Sequence, residues 1–370
     1  MKTKRQSNLE LLRLLSMLFI VVTHFVNHGG LLWNPYHNKA EHFITWTLFA
    51  LSMVAINAFI LISGYFLCES KFSILRIIKL AVQVLTYSLI ITAIFWTFTD
   101  VEHDKEYLVY SILPILSDFY WFISIYIGMY ILSPILNRII HTFTKKQLQY
   151  AIIVCLLLIS VWPNIIYFSS AMNTAGGVSI SWFLTMYLVG AYIRLYYQPS
   201  GKCAKTIFLA FCVYMILPLS RTLFEFLMES PLKNLPFLDD MLWGYSVFYY
   251  YSSIPSTIAA VLLFIGFLNV KIEKPAACTI INFFSGSAFG VYLFHEHVYM
   301  REWLWKTLDS APWVGHWYLF PLSILVVLGV YLVGTCIEQI RQLIFKPILG
   351  SQKLRDWCQN IDKKLNSVWE

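Results

Sequence analysis

The sequence predicts an all-α integral membrane protein, a bundle of about ten transmembrane helices with both termini in the cytoplasm. Of its 370 residues, 58% are hydrophobic and only 13% are charged, roughly half the charged fraction of an ordinary soluble domain. Long apolar runs bounded by charges, Pro and Gly recur along the whole chain, which has room for about ten helices of about 20 residues. This composition excludes a soluble enzyme, a disordered chain and a disulfide scaffold.

Ten apolar runs are long enough to span a bilayer. They are Leu9–Val26, Phe43–Leu67, Ile74–Phe98, Tyr120–Leu136, Tyr150–Phe168, Ser181–Tyr197, Thr206–Leu227, Gly244–Leu268, Ile281–Met300 and Trp317–Ile340. The first run contains Glu10, Arg13 and His24 and lacks a small-residue cleavage site. We therefore expect it to remain as a helix and not to be removed as a signal peptide.

Basic residues are unequally divided between the two sides of the predicted bundle. Of the 27 lysines and arginines, 21 lie on the side that carries both termini. The opposite side holds Lys39, Lys105, Arg221, Lys233, Arg301 and Lys306. The positive-inside rule then places both termini in the cytoplasm. The net charge of +7 is thus mainly an orientation signal, which argues against nucleic-acid binding.

The chain is predicted to have two parts. Residues 1–349 form the ten-helix transmembrane domain, and residues 350–370 form a cytoplasmic amphipathic helix. In this second part, Leu354, Trp357, Ile361 and Leu365 alternate with basic residues, a pattern typical of a helix that lies on the inner leaflet. No cysteine falls in a predicted outer loop, so we expect reduced thiols and no disulfide framework.

The first helix carries the most informative polar residues, because ionisable groups inside a span indicate function by default. Arg13 and His24 are eleven residues apart, which is close to three full turns, so both lie on one face about 16 Å apart along the axis. The alternative is that Arg13 extends to lipid phosphates and that His24 is a hydrogen-bonded structural residue.

A second polar set, His295, Glu296 and His297, lies near the outer end of the ninth span. Because that helix runs outward, His295 should lie at a depth similar to that of His24, and two imidazoles with a carboxylate suit acid/base chemistry. One alternative is a solvated helix end. Another is a metal site formed by His24, His28 and Glu296, although no ordered ligand motif supports it and no metal is expected.

The predicted cytoplasmic mouth contains further candidate ligands. Arg76 and Lys79 share a face at the start of the third helix, and with Arg13 they could hold a phosphorylated ligand. Ser63 precedes them at the same mouth. The alternative is the positive-inside rule itself, which places basic residues there without any ligand.

Aromatic residues are concentrated at the predicted outer side, which carries eleven of the 13 tryptophans. Flat aromatic faces suit a sugar ring, and we take Trp121, Trp182 and Tyr126 as the candidates for substrate binding. A one-sided aromatic belt without a ligand is the alternative.

Several of these residues together resemble the membrane acyltransferase 3 family of integral membrane O-acyltransferases. The specific part is Arg13, ten residues, then His24. The weaker matches are Asn8–Leu12, Phe59–Phe66, Arg76–Lys79, Trp121-Phe122, Trp182-Phe183 and Tyr292–His295. The resemblance extends over nearly the whole chain and implies the same ten helices.

The resemblance implies transfer of an acyl group, usually acetyl from acetyl-CoA, to hydroxyls of extracytoplasmic glycans in a bacterial plasma (inner) membrane. It implies that His24 is the essential catalytic histidine and Arg13 its motif partner. Arg76 and Lys79 correspond to an Arg-x-x-Arg element, with Lys in the second place, which weakens bidentate phosphate binding there. It also implies that the acceptor is a cell-surface or lipid-linked sugar. The choice between a monomer and a homodimer stays open.

The expected mechanism follows from both lines of reasoning. Acetyl-CoA binds from the cytoplasm with its phosphates near Arg13, Arg76 and Lys79, and its arm runs toward His24, which acts as a base or accepts the acyl group. His295 and Glu296 orient His24 or relay protons. The alternatives are a secondary transporter of a small polar or anionic solute, which predicts inverted repeats and broken helices, and a glycan polymerase or flippase.

Overall fold

The computed structural model describes residues 5–117, 119–165, 174–230 and 248–368, and every regular element in these ranges is a helix. The α-helices are α1 Ser7–His28, α2 Lys39–Phe49, α3 Leu51–Leu67, α4 Ile74–Phe98, α5 Lys105–Ile112, α6 Trp121–Thr142, α7 Lys145–Leu156, α8 Trp162–Ile165, α9 Ile180–Tyr196, α10 Cys203–Tyr214, α11 Ile216–Glu229, α12 Ile254–Leu268, α13 Pro275–His295, α14 Val298–Thr307, α15 Leu319–Leu349 and α16 Gln352–Asn366. A π-helical segment, Leu157–Val161, joins α7 to α8.

Eight helical stretches are long and apolar enough to cross a membrane. They are Ser7–His28, Lys39–Leu67, Ile74–Phe98, Trp121–Thr142, Lys145–Asn164, Cys203–Glu229, Pro275–His295 and Leu319–Leu349. Each of the ten predicted spans overlaps a helix, the two further ones being α9 and the short apolar α12. The helical membrane class is therefore confirmed, while the count of ten and the orientation stay predictions. Lys233 and the span ends at 166–168 and 244–247 lie outside the described residues.

The second predicted span is divided into α2 and α3 at Ala50. The Thr23 hydroxyl of α1 donates to the carbonyl oxygens of Leu48 and Phe49 at 3.4 and 3.2 Å and accepts from the Ser52 backbone N–H at 3.2 Å. These bonds pair backbone groups at the break, which inside a bilayer would otherwise be costly. The break between α2 and α3 therefore contacts α1 at Thr23, the residue that precedes His24.

The seventh predicted span is also divided, into α10 and α11 at Met215. Pro218 stands in the first turn of α11. Proline has no N–H to bond the carbonyl four residues earlier and its ring crowds that carbonyl, so the helix cannot continue straight through Tyr214.

Helix α1 occupies the centre of the bundle and packs between α3 and α13. Helix α3 in turn packs closely on α9 through a pair of facing glycines. A Cβ at Gly64 would lie 2.4 Å from the carbonyl oxygen of Tyr187, and one at Gly190 would lie 2.5 Å from that of Leu61. Only glycine allows this approach of two backbones, as is typical of membrane helices.

Helices α13 and α15 meet in a similar way. A Cβ at Gly290 would lie 2.5 Å from Oε2 of Glu338, and one at Gly334 would lie 3.1 Å from Cα of Val291. Glu338 is 1% exposed, and its carboxylate accepts hydrogen bonds from Tyr87 and Arg341 at 2.7–3.0 Å. A buried carboxylate needs such partners. This contact fixes α13 against α15 and α4.

The last helix, α16, is attached to the start of α4. The Asp362 carboxylate accepts a hydrogen bond from the Ile74 backbone N–H at 2.7 Å, and the Asn366 side chain pairs with both backbone groups of Phe72. The exposed N–H groups of a helix N-terminus are satisfied by such acceptors. The predicted amphipathic segment is thus helical over Gln352–Asn366, and its location on an inner leaflet stays a prediction.

Candidate active site

A sharp corner between α13 and α14 positions the second polar set. The sequence predicted a continuous span over Ile281–Met300, but α13 ends at His295, and Glu296 and then the extended His297 (φ −60°, ψ 134°) turn the chain into α14. The corner directs Glu296 back toward α1. His297 is fully buried against α4, with its Nε2 3.2 Å from Thr92 Oγ1, so this helix end is not solvated.

The two histidines that the sequence placed at a similar depth are in direct contact. Nδ1 of His24 lies 2.9 Å from Nε2 of His295, and Nδ1 of His295 lies 2.6 Å from the carbonyl oxygen of Val291. His295 is fully buried. The sequence predicted a similar depth for the two residues, and the structure brings their side chains together, whereas their chemical roles stay predictions.

These contacts select one tautomer for His24 when both rings are neutral. A carbonyl oxygen only accepts, so Nδ1 of His295 must carry the proton, and its Nε2 is then an acceptor. Nδ1 of His24 must therefore donate to it. The Nε2 atom of His24 is left unprotonated, and it has no hydrogen-bond partner among the described residues. An imidazole in this state is a base and a nucleophile.

Glu296 adds a negative charge beside the same ring. Its Oε2 lies 3.0 Å from Nδ1 of His24, an ion-pair distance, and its Oε1 accepts from Arg301 at 2.9 Å. Because Oε2 makes no hydrogen bond within the described ranges, the proton of Nδ1 points to His295 and the carboxylate acts through its charge. A carboxylate at this distance stabilises the imidazolium that forms when Nε2 takes a proton.

The donor atoms of His24, His295 and Glu296 all lie within 4.8 Å of one another, as in a metal site. His28, which the sequence alternative included, is not part of this set. Two nitrogens on one tetrahedral zinc would stand about 3.4 Å apart, whereas those of His24 and His295 are 2.9 Å apart. The distance matches a hydrogen bond better.

A cavity of about 310 Å³ runs along the face of α1 that carries both motif residues. Arg13 lines it at one end of that face and His24 at the other, and Met17 and Ile20 lie between them. By helix rise the two ends are about 16 Å apart. An elongated, mainly apolar channel therefore leads from a basic mouth to the histidine pair.

Arg13 is held in place before any ligand binds. Its Nη1 donates to both carboxylate oxygens of Glu10, at 2.9 and 2.8 Å, and Glu10 Oε2 also accepts from Ser285 Oγ at 2.7 Å. The Arg13 side chain is 30% exposed, so it does not simply extend to the lipid surface. The hydrogen bonds of Arg13 within the described residues use Nη1, and the residue lines the cavity.

Three other predicted residues line the same cavity. Ser63 faces it while donating to the Phe59 carbonyl oxygen at 2.9 Å. Trp121 and Tyr126 form part of its wall, and the Trp121 ring stacks on Tyr251 with centroids 5.6 Å apart.

The other three lie apart from the cavity. Trp182 is fully buried and donates from Nε1 to Asn57 Oδ1 at 2.9 Å, an arrangement typical of a packing residue. Arg76 and Lys79 are exposed on the first turns of α4, and the cavity is lined instead by Leu80 and Gln83 of that helix.

The cavity and its surroundings also contain residues that the sequence did not single out. They are Arg5, Gln83, Tyr251 and Arg301, whereas Tyr292 of the cavity wall belongs to the Tyr292–His295 match. Arg301 had a usable signal, since it is one of only six basic residues on the predicted outer side and follows Glu296 by five positions. The others had none, because the lining of a cavity depends on how helices rotate and pack.

Comparison with known proteins gives one match. The model of a protein family described as an acyltransferase domain matches residues 6–335. This range begins just before α1, ends within α15, and includes His24, the α13–α14 corner and the whole cavity lining except Arg5. The comparisons with curated proteins and with solved structures found no match.

Proposed function

We propose, from the premise that this chain belongs to the acyltransferase 3 family, that it is a multi-pass membrane O-acyltransferase that moves an acetyl group from acetyl-CoA to a hydroxyl of an extracytoplasmic cell-surface glycan. The match over residues 6–335 confirms the resemblance first drawn from Arg13 and His24. The observation that carries the proposal is the cavity that joins a basic mouth to His24, whose Nδ1 is hydrogen-bonded to a second histidine.

The donor is supported by the shape and lining of the cavity. An acyl thioester of coenzyme A has polyanionic phosphates at one end and a long, uncharged pantetheine arm that carries the acyl group at the other. Arg13 and Arg5 stand at the mouth for the phosphates, with Arg76 and Lys79 on the same side. Ser63 and Gln83 offer hydrogen bonds to the amides of the arm.

The proposed reacting atom of the protein is Nε2 of His24. It either takes the proton of the acceptor hydroxyl as that oxygen attacks the acyl carbon, or attacks the acyl carbon itself. In both routes Nδ1 keeps its proton, His295 holds the ring in place, and Glu296 balances the positive charge on the ring. Arg301 keeps the Glu296 carboxylate pointed at His24.

The acceptor is proposed to approach from the end of the bundle near the α13–α14 corner. Trp121 and Tyr126 supply aromatic faces on the cavity wall, whereas Trp182 supports that wall from within through Asn57. Donor and acceptor then meet at His24 from opposite sides of a bacterial plasma membrane, with both termini in the cytoplasm.

The test compares cell-surface glycans by mass spectrometry from cells that express the wild type or carry an empty vector. We expect an added acetyl increment on a glycan only in cells with the protein, and purified protein in liposomes should transfer label from acetyl-CoA to that glycan. A succinyl increment would redirect the donor assignment. Uptake of a solute without any acyl transfer would instead support the transporter.

Arg13 should control binding of the donor. Loss of a hydrogen bond to a charged group costs about 1.5–3 kcal/mol, so Arg13→Gln should weaken acetyl-CoA binding about ten- to hundredfold. The measurement is titration of acetyl-CoA onto detergent-solubilised protein. Unaltered affinity would reject a phosphate contact at Arg13.

A second variant separates this effect from damage to the fold. Arg13→Gln leaves the buried Glu10 carboxylate without its charged partner, which by itself destabilises the protein. The double variant Glu10→Gln with Arg13→Gln removes both charges. If the donor affinity recovers in the double variant, the contribution of Arg13 is structural and not a contact with the donor.

Gly286 offers a way to block the cavity without disturbing the bundle. It lines the cavity, and the nearest atom to a Cβ placed there is Arg5 Nη1 at 4.0 Å. Gly286→Leu should therefore fold and fill the channel near its mouth, which should lower acyl transfer about tenfold or more through weaker donor binding.

The matched control is Gly286→Ala, which adds one methyl group and should keep activity while stabilising α13 by about 0.5–1 kcal/mol. Initial rates at several acetyl-CoA concentrations and thermal melting of both variants check this. Wild-type rates in a well-folded Gly286→Leu protein would mean that the donor uses another path.

A further inference from the structure

Tyr292 carries a hydroxyl group that the packing of the protein leaves unused. It lies on α13 three residues before His295, and the residue as a whole is 6% exposed. The hydroxyl is buried and has no hydrogen-bond partner within the described parts of the chain. An unpaired buried polar group costs free energy and therefore calls for an explanation.

The ring itself is held firmly. It packs between Phe289, Phe122 and Tyr120, with ring centroids 5.9–6.3 Å apart. These contacts fix the direction of the hydroxyl without satisfying it. The neighbouring Tyr120 differs in this respect, because its hydroxyl donates to the Leu293 carbonyl oxygen at 3.1 Å.

Tyr292 also belongs to the cavity that ends at His24. Both residues line it, and residues three apart on a helix share a face, so Tyr292 and His295 point the same way. The Tyr292 and His295 rings are 6.3 Å apart at right angles, and the His295 ring is 5.1 Å from that of His24. The Tyr292 side chain is therefore next to His295, which is hydrogen-bonded to His24.

We propose that Tyr292 is a catalytic residue whose hydroxyl donates a hydrogen bond to the acyl oxygen of the thioester. This inference rests on the proposed function. In direct transfer, the acceptor oxygen bonds to the acyl carbon, its proton passes to Nε2 of His24, and the carbonyl electron pair moves onto the acyl oxygen. The carbonyl bond then re-forms, the carbon–sulfur bond breaks, and His24 returns the proton to the departing thiolate.

The charge on the acyl oxygen is what the Tyr292 hydroxyl stabilises. The same oxygen becomes charged if His24 attacks first, so the role does not depend on the route. A donor fixed before the reaction, in a site that excludes water, stabilises an oxyanion strongly because it need not reorient. The Tyr292 hydroxyl is thus expected to bind a carbonyl oxygen that becomes negatively charged during the reaction.

The test is Tyr292→Phe, which removes only the hydroxyl. Because that group has no hydrogen-bond partner among the described residues, its removal should not lower the melting temperature. We expect acyl transfer to fall about a hundredfold or more, in kcat and not in the affinity for acetyl-CoA. The matched control is Tyr120→Phe, which loses a hydrogen bond to the backbone but should keep its rate within about threefold.

The possible outcomes separate this role from its alternatives. A Tyr292→Phe protein with the wild-type rate overturns the proposal. If the Tyr292→Phe protein has a lower melting temperature and a matching loss of activity, Tyr292 has a packing role, which also overturns the proposal. If the wild-type protein itself transfers no acyl group, the proposed function is wrong, and the role of Tyr292 is wrong with it. If the wild type is active and Tyr292→Phe has the same rate, only the role of Tyr292 is rejected.

Discussion

Replacement of His24 by alanine should reduce acyl transfer by about 10²- to 10⁴-fold, the contribution expected of a general base or nucleophile. His24 is the only residue in the described part of the cavity lining whose ring nitrogen is paired with a second histidine. The measurement is the acyl increment on cell-surface glycans, together with initial rates of purified protein in liposomes.

The matched control is His28→Ala. His28 lies one turn further along α1, with its ring centroid 5.9 Å from that of His24, whereas the side-chain hydrogen bonds of His295 within the described residues go to His24 and Val291. We expect this variant to keep most of its activity at equal membrane abundance. An unchanged increment in His24→Ala would contradict the catalytic role, and equal losses in both variants would indicate damage to this end of α1.

His295 should be almost as sensitive, and its two amide variants should differ. Asparagine places its amide where Nδ1 stands and can still donate to Val291, but it removes the acceptor for His24. The tautomer of His24 is then no longer fixed. A wrong tautomer in a comparable catalytic site lowers kcat about 10⁴-fold, so we expect His295→Asn to lose at least about a hundredfold.

His295→Gln supplies the control for the same site. Its amide oxygen reaches the position of Nε2 and can accept from Nδ1 of His24, so much of the rate should return. The measurement is the rate of acyl transfer of both variants across a range of pH. A loss of packing would not restore the rate in the glutamine variant while leaving the asparagine variant impaired. Equal activity of the two variants at every pH would contradict a role for His295 in setting the tautomer.

The polar residues of α1 show how far the sequence alone leads. The spacing of Arg13 and His24 follows from helix geometry and needs no partner helix, so their shared face could be predicted. The cavity along that face agrees with the prediction. In the same way, the apolar runs determined the helices, because in a bilayer the backbone must satisfy its own hydrogen bonds.

Predictions of how residues on two different helices are placed relative to each other were less complete. His295 and Glu296 could be expected near His24 from their depth, but the continuous span over Ile281–Met300 was wrong at its end, since the chain turns after His295. Trp182 and Trp121 have the same sequence context, a Trp-Phe pair that begins a helix. One is buried against Asn57 and the other lines the cavity.

The sequence by itself therefore determined the membrane class, the helices, the family and the histidine on which the proposed chemistry depends, because these follow from composition and from spacing within one helix. The tertiary structure decided which nitrogen of His24 is hydrogen-bonded to His295, and that the buried hydroxyl of the cavity residue Tyr292 has no partner among the described residues. Those features depend on the rotation and close approach of α1 and α13. They arise from contacts between residues about 270 positions apart, for which a single sequence contains no local signal.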